Sequence, residues 1–186
     1  MATNRPTTTA TPLADAYARL CALGVCSDKG TTHSYIEVYE WLFKPWRKMR
    51  ARVLEIGVQE GFSLQLWRAY FVDASIWGID LNPIRVRVPG AGIIEGDATA
   101  AGILNKLSPG WDIIIDDASH EPAAQVAAFE LLHPLLTKGG LYVIEDLQSP
   151  DAVDYVRANV EADFELIDRR EVKGRYDDVL MVYRRG

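Results

Sequence analysis

The stretch Trp111-Asp-Ile-Ile-Ile-Asp-Asp-Ala-Ser-His120 decides the fold. A short run rich in Ile, bounded by turn residues and ending abruptly in carboxylates, reads as a buried parallel strand. A helix later the pattern returns in Leu141-Tyr-Val-Ile-Glu-Asp146. Ligands in open α/β sheets bind just beyond the carboxyl ends of such strands. Two neighbouring strands of this kind deliver Asp116, Asp117, Glu145 and Asp146 to one rim, with His120 beside them. Two carboxylates ~4 Å apart repel by roughly 4 kcal/mol at an effective dielectric near 20. Three or four together are tolerable only with protons or a cation among them. Taken singly, each acid also reads as a helix cap or a solvated loop residue. Together they mark a site.

Strands and helices alternate outward from this pair. The strands expected are 52–56, 75–80, 92–95, 112–116, 140–145, 164–168 and 179–184, and the helices 63–71, 100–107, 122–136 and 151–160. The turn from Glu171 to Asp178 leaves no room for a helix, so the last two strands must pair antiparallel, because a parallel crossover needs a dozen or more residues. This pattern predicts an α/β, Rossmann-like fold with a seven-stranded, mostly parallel sheet. Ahead of it, residues 13–23 carry apolar side chains at helical spacing up to Gly24, and 31–43 predict a second helix rich in aromatics. The Thr-rich residues 1–12 read as a floppy tail. The division expected is therefore a tail (1–12), a helical lead-in or lid (13–46) and a catalytic domain (47–186).

A length of 186 residues suits one domain, and 48% hydrophobic with 25% charged residues is ordinary for a soluble protein. The net charge of −6 argues against a nucleic-acid partner, which calls for a basic face. No run of about 18 apolar residues and no signal-peptide pattern is present, so neither a membrane span nor export is expected. Cys21 and Cys26 are the only cysteines, and reduced thiols in a cytoplasmic protein are the expected state.

The first strand runs into Glu55-Ile-Gly-Val-Gln-Glu-Gly61 and then a helix. Gly57 and Gly61 let the backbone turn sharply and approach a ligand. A dinucleotide fingerprint needs glycine at 59, where this chain has Gln59, which counts against NAD. The second strand ends in Asp80, placed for ribose hydroxyls, and Asp97 follows the third.

The acid-x-Gly-x-x-x-Gly loop resembles the first motif of class I S-adenosylmethionine-dependent methyltransferases. That resemblance makes Glu55, Gly57, Gly61 and Asp80 cofactor residues, puts Asp97 at the adenine edge, and implies an antiparallel last strand. It narrows to metal-dependent O-methyltransferases. In their catechol group, three ligands come from two adjacent strand ends, the last two being an Asp-Asn pair, with a lysine base three residues past the first. Here Asp117 is followed by Glu145-Asp146, and His120 stands at the base position. That version resembles the sugar O-methyltransferases of mycinamicin and tetracenomycin biosynthesis, as does the early segment from Ser27 to Tyr39. The resemblance covers about residues 27–148. Because the chain is much shorter than the macrolide enzymes, it does not carry over their acceptor; a compact mycobacterial polysaccharide O-methyltransferase acting on mannose units also fits.

The resemblance implies a reaction. Asp117, Glu145 and Asp146 offer hard oxygens and no thiolate, which selects Mg²⁺ or a similar ion. A sugar hydroxyl held there becomes more acidic, and His120, poised near neutral pH, takes its proton. Successive side chains on a strand diverge, so Asp116 is assigned to the methionine end of the cofactor and Asp117 to the metal. Lys29 is a candidate partner of the cofactor carboxylate. His33 and Tyr35 read either as a lid over the cofactor or as aromatic packing. His133 reads as a structural histidine, and Trp41 to Trp46 as core or subunit interface. The expected partner is a sugar or glycoside acceptor, with a homodimer as the default assembly. The alternatives are a catechol or phenol O-methyltransferase, and a cofactor-binding protein without turnover.

Overall fold

Residue parity along the strands sorts the core into two layers. Odd-numbered Val53, Ile113, Ile115, Leu141 and Val143 join one apolar cluster, and even-numbered Leu54, Ile56, Ile114, Tyr142 and Ile144 join the other. This is the alternation a strand imposes when both faces of its sheet are covered. The structure is a computed structural model and describes residues 11–83 and 86–186.

The chain runs through α1 (Pro12–Ala22), α2 (Asp28–Thr31), α3 (Ile36–Phe43), β1 (Arg52–Ile56), α4 (Phe62–Tyr70), β2 (Ser75–Asp80) and β3 (Ala91–Glu95). It continues through β4 (Trp111–Asp116), α5 (Pro122–Leu132), β5 (Leu136–Ile144), α6 (Pro150–Asn159), β6 (Phe164–Asp168), α7 (Arg170–Lys173) and β7 (Val179–Arg184). The seven strands form one sheet in the order β3-β2-β1-β4-β5-β7-β6. β1 to β5 are parallel, and β7 pairs antiparallel with both β5 and β6. The expected α/β fold and antiparallel end are as read from the sequence.

Several boundaries differ for local reasons. The expected helix over 31–43 splits into α2 and α3, because the Ser34 N–H and hydroxyl both bond Asp178 instead of continuing the helix. The helix expected to reach residue 136 ends at Leu132, since Pro134 supports only a 3₁₀ turn before β5. Residues 101–106 are likewise 3₁₀ rather than α-helical. The turn before β7, expected to hold no helix, fits the single turn α7, closed by Gly174 in the left-handed region. Of the expected tail, residues 1–10 lie outside the described residues. Thr11 is already the cap of α1, its side chain accepting from the Ala14 N–H, and Pro12 is the first helical residue. Residues 84–85 lie outside the described residues too. The cysteines correct a further expectation: the turn at Gly24 brings Cys21 and Cys26 to a Cα separation of 4.5 Å, and a disulfide joins them.

The lead-in is a structural layer of the domain. Leu13, Ala16, Tyr39, Leu42 and Phe43 pack with Leu64 and Trp67 of α4 onto the odd face, while Ala128, Phe129 and Leu132 of α5 and Val153 and Val156 of α6 cover the even face. Among the described residues, no helix is long and apolar enough to cross a membrane.

Candidate active site

Ladder hydrogen bonds carry four strand ends into loops that meet at one rim. The Gly57 N–H donates to the Ile79 carbonyl at 2.9 Å, that of Asp117 to Ile56 at 2.9 Å, that of Glu145 to Asp116 at 3.0 Å, and that of Gly96 to Asp80 at 2.9 Å. Gly57, at φ 83, lies so close to the β4 end that a Cβ there would stand 2.2 Å from the Asp117 carbonyl oxygen. Glycine is required by that approach as much as by the dihedral.

On one side of this seam a cleft of about 410 Å³ is lined by Gly57, Asp80, Asp97, Ala98, Asp116 and Ala128, among others. The Asp80 carboxylate accepts the N–H groups of Val58 at 2.9 Å, Gln59 at 3.2 Å and Asn82 at 2.8 Å. Partial burial raises its pKa, but the three N–H groups outweigh that and hold it below the ordinary carboxylate range. Asp116 is on an even position, so it faces the α5 layer and takes the Tyr142 hydroxyl at 3.5 Å. Burial pushes its pKa up to about 7.

On the other side the acids are enclosed. Glu55 and Glu145 are odd-numbered, so both turn toward the lead-in layer and away from the cleft. The Lys29 ammonium reaches in from α2, with no exposed surface, to within 2.6 Å of Asp117 Oδ2, 2.8 Å of Glu145 Oε1 and 3.2 Å of Glu55 Oε1. Burial opposes its charge, but Asp117, Glu145 and Glu55 prevail and raise its pKa well above the ordinary value. Glu55 Oε2 accepts from Ser63 Oγ at 2.8 Å and Trp67 Nε1 at 3.1 Å, and burial lifts its pKa to about 7. The Tyr39 hydroxyl donates to Glu145. The Tyr35 hydroxyl donates to Asp146 Oδ1 at 2.7 Å. His33 places Nε2 3.4 Å from Asp146 and Nδ1 2.9 Å from Asp178. Burial raises the pKa of both Glu145 and Asp146.

His120 places Nε2 4.0 Å from Asp117 and 3.8 Å from Asp146, while its Nδ1 is buried without a hydrogen-bond partner. His120 and Asp146 both have φ 56, and Gln59 has φ 47. Left-handed backbone at non-glycine residues costs energy and persists where surrounding contacts enforce it. All three of these residues lie on the rim.

The residues singled out from the sequence thus divide. Gly57, Asp80, Asp97 and Asp116 line the cleft. Gly61 starts α4 in the left-handed region, where an added Cβ would meet Val88 at 2.7 Å. Glu55, Lys29 and Tyr35 stand inside the acid cluster, away from the cleft wall. Asp117, Glu145, Asp146 and His120 come together at the ends of β4 and β5. Asp117 and Asp146 group with His120, and Asp117 and Glu145 group with Glu55, each set with donor atoms within 4.8 Å of one another. His133 bonds the Phe129 carbonyl at 2.8 Å and stacks on its ring, a structural role. Tyr39, Ser34 and Asp178 escaped the sequence reading. Tyr35 and Tyr39 are four apart, so one helical turn aims both hydroxyls at the same strand ends, and that spacing was the available signal.

No protein-family model matches the chain. It is 39% identical over 134 residues to the 8-demethyl-8-alpha-L-rhamnosyl tetracenomycin-C 2'-O-methyltransferase of Streptomyces olivaceus, covering 66% of this chain and 35% of that one. It is 34% identical to the mycinamicin VI 2''-O-methyltransferase of Micromonospora griseorubida, covering 63% and 32% respectively. The chain is a relative of the antibiotic-sugar O-methyltransferases. It spans about a third of the length of these curated relatives. A solved MycE methyltransferase of mycinamycin biosynthesis, in complex with Mg and SAH, superposes with a TM-score of 0.71 at 26% identity, covering 94% of this chain and 55% of that one. The architecture is accordingly the class I methyltransferase fold.

Proposed function

We propose that this sugar O-methyltransferase relative moves a methyl group from S-adenosylmethionine to a hydroxyl of a sugar or glycoside in a Mg²⁺-dependent reaction. The observation that carries the reading is the convergence of Asp117 and Asp146 with His120, with Glu145 grouped with the same Asp117, beside a cleft walled by Gly57, Asp80, Asp97 and Asp116. The donor set fits the ion: it is oxygen-rich, has no thiolate, and comes from two rigid strand ends. Buried carboxylates with raised pKa values are also what a site short of positive charge looks like. When bound, S-adenosylmethionine supplies the activated methyl and Mg²⁺ acidifies and fixes the acceptor hydroxyl.

The chain's own residues do the rest. Asp80 and Asp97 hold the ribose and adenine end, and Asp116 meets the methionine end. His120 turns Nε2 toward Asp117 and Asp146, at 4.0 and 3.8 Å, so this nitrogen, and not the buried Nδ1, is the one able to accept the proton of the acceptor hydroxyl. Tyr35, Tyr39, His33 and Lys29 fix the carboxylates from behind, so residues 13–46 act as one unit with the catalytic domain 47–186. Glu145-Asp146 in place of Asp-Asn, and His120 in place of lysine, favour a sugar over a catechol acceptor. A role in polysaccharide biosynthesis and a homodimer complete the reading. The dimer is supported by the exposed Trp41 on the lead-in and tested by light scattering, where a strict monomer removes it.

The decisive experiment follows transfer of labelled methyl to rhamnosides and mannosides. EDTA should abolish transfer while calorimetry shows cofactor binding intact, and Mg²⁺ should restore it. Full activity in EDTA would remove the metal and leave the carboxylates as acceptor-binding groups.

A further inference from the structure

Two carboxylate nests share Asp117. One is made by Asp117 and Asp146, with His120 beside them as the proposed base, and the other by Glu55, Asp117 and Glu145. The second is where the Lys29 ammonium stands, touching one oxygen from each of three strand ends. We propose that Lys29 is a permanent tethered cation that fills this nest, so that the protein holds one divalent ion where its acids would otherwise take two. The inference rests on the metal-dependent reading above.

Four carboxylates, Glu55, Asp117, Glu145 and Asp146, lie within this small volume, three of them nearly or fully buried. The nest is built to face a charge. Glu55 has no exposed surface, and its Oε1 has no hydrogen-bond partner, yet it stands 3.2 Å from the ammonium. That oxygen's nearest compensating group is the Lys29 charge, which lowers the Glu55 pKa against the effect of burial. The three oxygens present the kind of hard donor set that takes Mg²⁺ or Mn²⁺, and a lysine is a compact point charge able to stand in for such an ion.

Lys29 is also not free to swing. Ser27 caps the turn that carries it, accepting the Lys29 N–H at 3.3 Å. Lys173 staples the same turn from the other side, donating to the carbonyls of Gly30 at 2.6 Å, Thr31 at 3.2 Å and His33 at 2.6 Å. Apart from Lys29, which touches Asp117 from the enclosed side, the basic side chains within reach of the neighbouring nest's carboxylates, among the described residues, are the histidines His33 and His120. That nest therefore remains receptive while the Lys29 nest is closed.

The test is ion stoichiometry in the full-length protein, with Mn²⁺ as the probe, read by equilibrium dialysis and electron paramagnetic resonance. Wild type should bind one Mn²⁺ per chain. Lys29→Met keeps the apolar stem and removes the charge, and should bind two. Combining Lys29→Met with Glu55→Gln removes a ligand of the vacated nest and should return the count to one. Should Lys29→Met fail to fold without metal, the inference requires that Mn²⁺ restore its circular dichroism with two ions bound, while the double variant folds without it. One ion in both wild type and Lys29→Met, at the same affinity, overturns the role of Lys29 and leaves the proposed reaction standing. So does a Lys29→Met protein that Mn²⁺ cannot refold. No ion in wild type overturns the metal-dependent reading itself.

Discussion

At the cleft side of the rim, Asp80 is half-buried, held by three backbone N–H groups and acidic beyond the ordinary range. At the enclosed side, Glu145 and Asp146 are buried, held by tyrosines, a lysine and a histidine, and less acidic than usual. Both halves end parallel strands in carboxylates, so the difference arises from what covers them. Backbone amides stabilise a charge without bringing one, and they leave Asp80 ready for neutral hydroxyls. Side chains from the lead-in compensate only part of the charge they bury, which leaves the second half in want of a cation.

The largest effect that would sharpen this contrast concerns His120, whose Nε2 faces Asp117 and Asp146 at the rim. His120→Ala should lower turnover by ~10²–10⁴ if it is the general base, with cofactor and Mn²⁺ affinity retained. Single-turnover rates at saturating Mg²⁺ check this. Recovery of near-wild-type turnover there would reduce His120 to an orienting role and move proton transfer elsewhere.

Asp116 tests whether burial alone can mimic the enclosed half without any lead-in residue touching it. Its pKa is raised from 3.8 to about 7, with burial as the main cause. A raised carboxylate stabilises the fold fully below its unfolded value, and that contribution is lost as pH rises from about 4 through about 7. Asp116→Asn removes the term, so its stability relative to wild type should climb across that window by up to about 4 kcal/mol. Urea unfolding of the ligand-free protein at pH 4.5 and 8 measures it. A constant difference between the two proteins would mean that Asp116 stays solvated enough to ionise normally.

The two halves also differ in how far the sequence discloses them. The strand ends were legible because a buried parallel strand is a continuous apolar run, and the acids that close it are fixed by the next residue. Parity would have carried the reading further, since Glu55 and Glu145 share the phase of Val53 and Val143, and Asp116 shares that of Ile114. What no local pattern holds is the partner set. Lys29 lies 88 residues from Asp117 and 116 from Glu145, and Ser34 meets Asp178 across 144. Those contacts depend on how α2 and α3 lie over the sheet. The break between the two helices is itself set by Asp178, so the boundary error and the missed partner have one cause.

On the cleft side, Asp80→Ala should weaken S-adenosylmethionine binding by about 1–3 kcal/mol, the range for losing hydrogen bonds to a charged group. The loss has two sources, ribose contacts and the Val58 and Gln59 amides that Asp80 now fixes. Asp80→Asn separates them, because its amide oxygen can still accept one of those N–H groups while the charge is gone. Calorimetry showing unchanged affinity in the alanine variant would remove Asp80 from the cofactor site.

The smallest expected effect lies in the same loop. Gln59 stands at the position where a dinucleotide fingerprint has glycine, and it adopts φ 47 even so. A left-handed L-residue costs roughly 1–2 kcal/mol. Glycine relieves that strain but brings a more disordered unfolded chain, which returns about 0.4–1 kcal/mol of the gain. Gln59→Gly should therefore raise stability by about 1 kcal/mol or less, and leave cofactor affinity nearly unchanged because the Gln59 amide still reaches Asp80. Urea unfolding reads the first quantity and calorimetry the second. A destabilisation above about 1 kcal/mol would show that the Gln59 side chain makes a contact worth more than the strain. A clear loss of affinity would give that side chain a direct part in the cofactor site, where the backbone is now assigned the work.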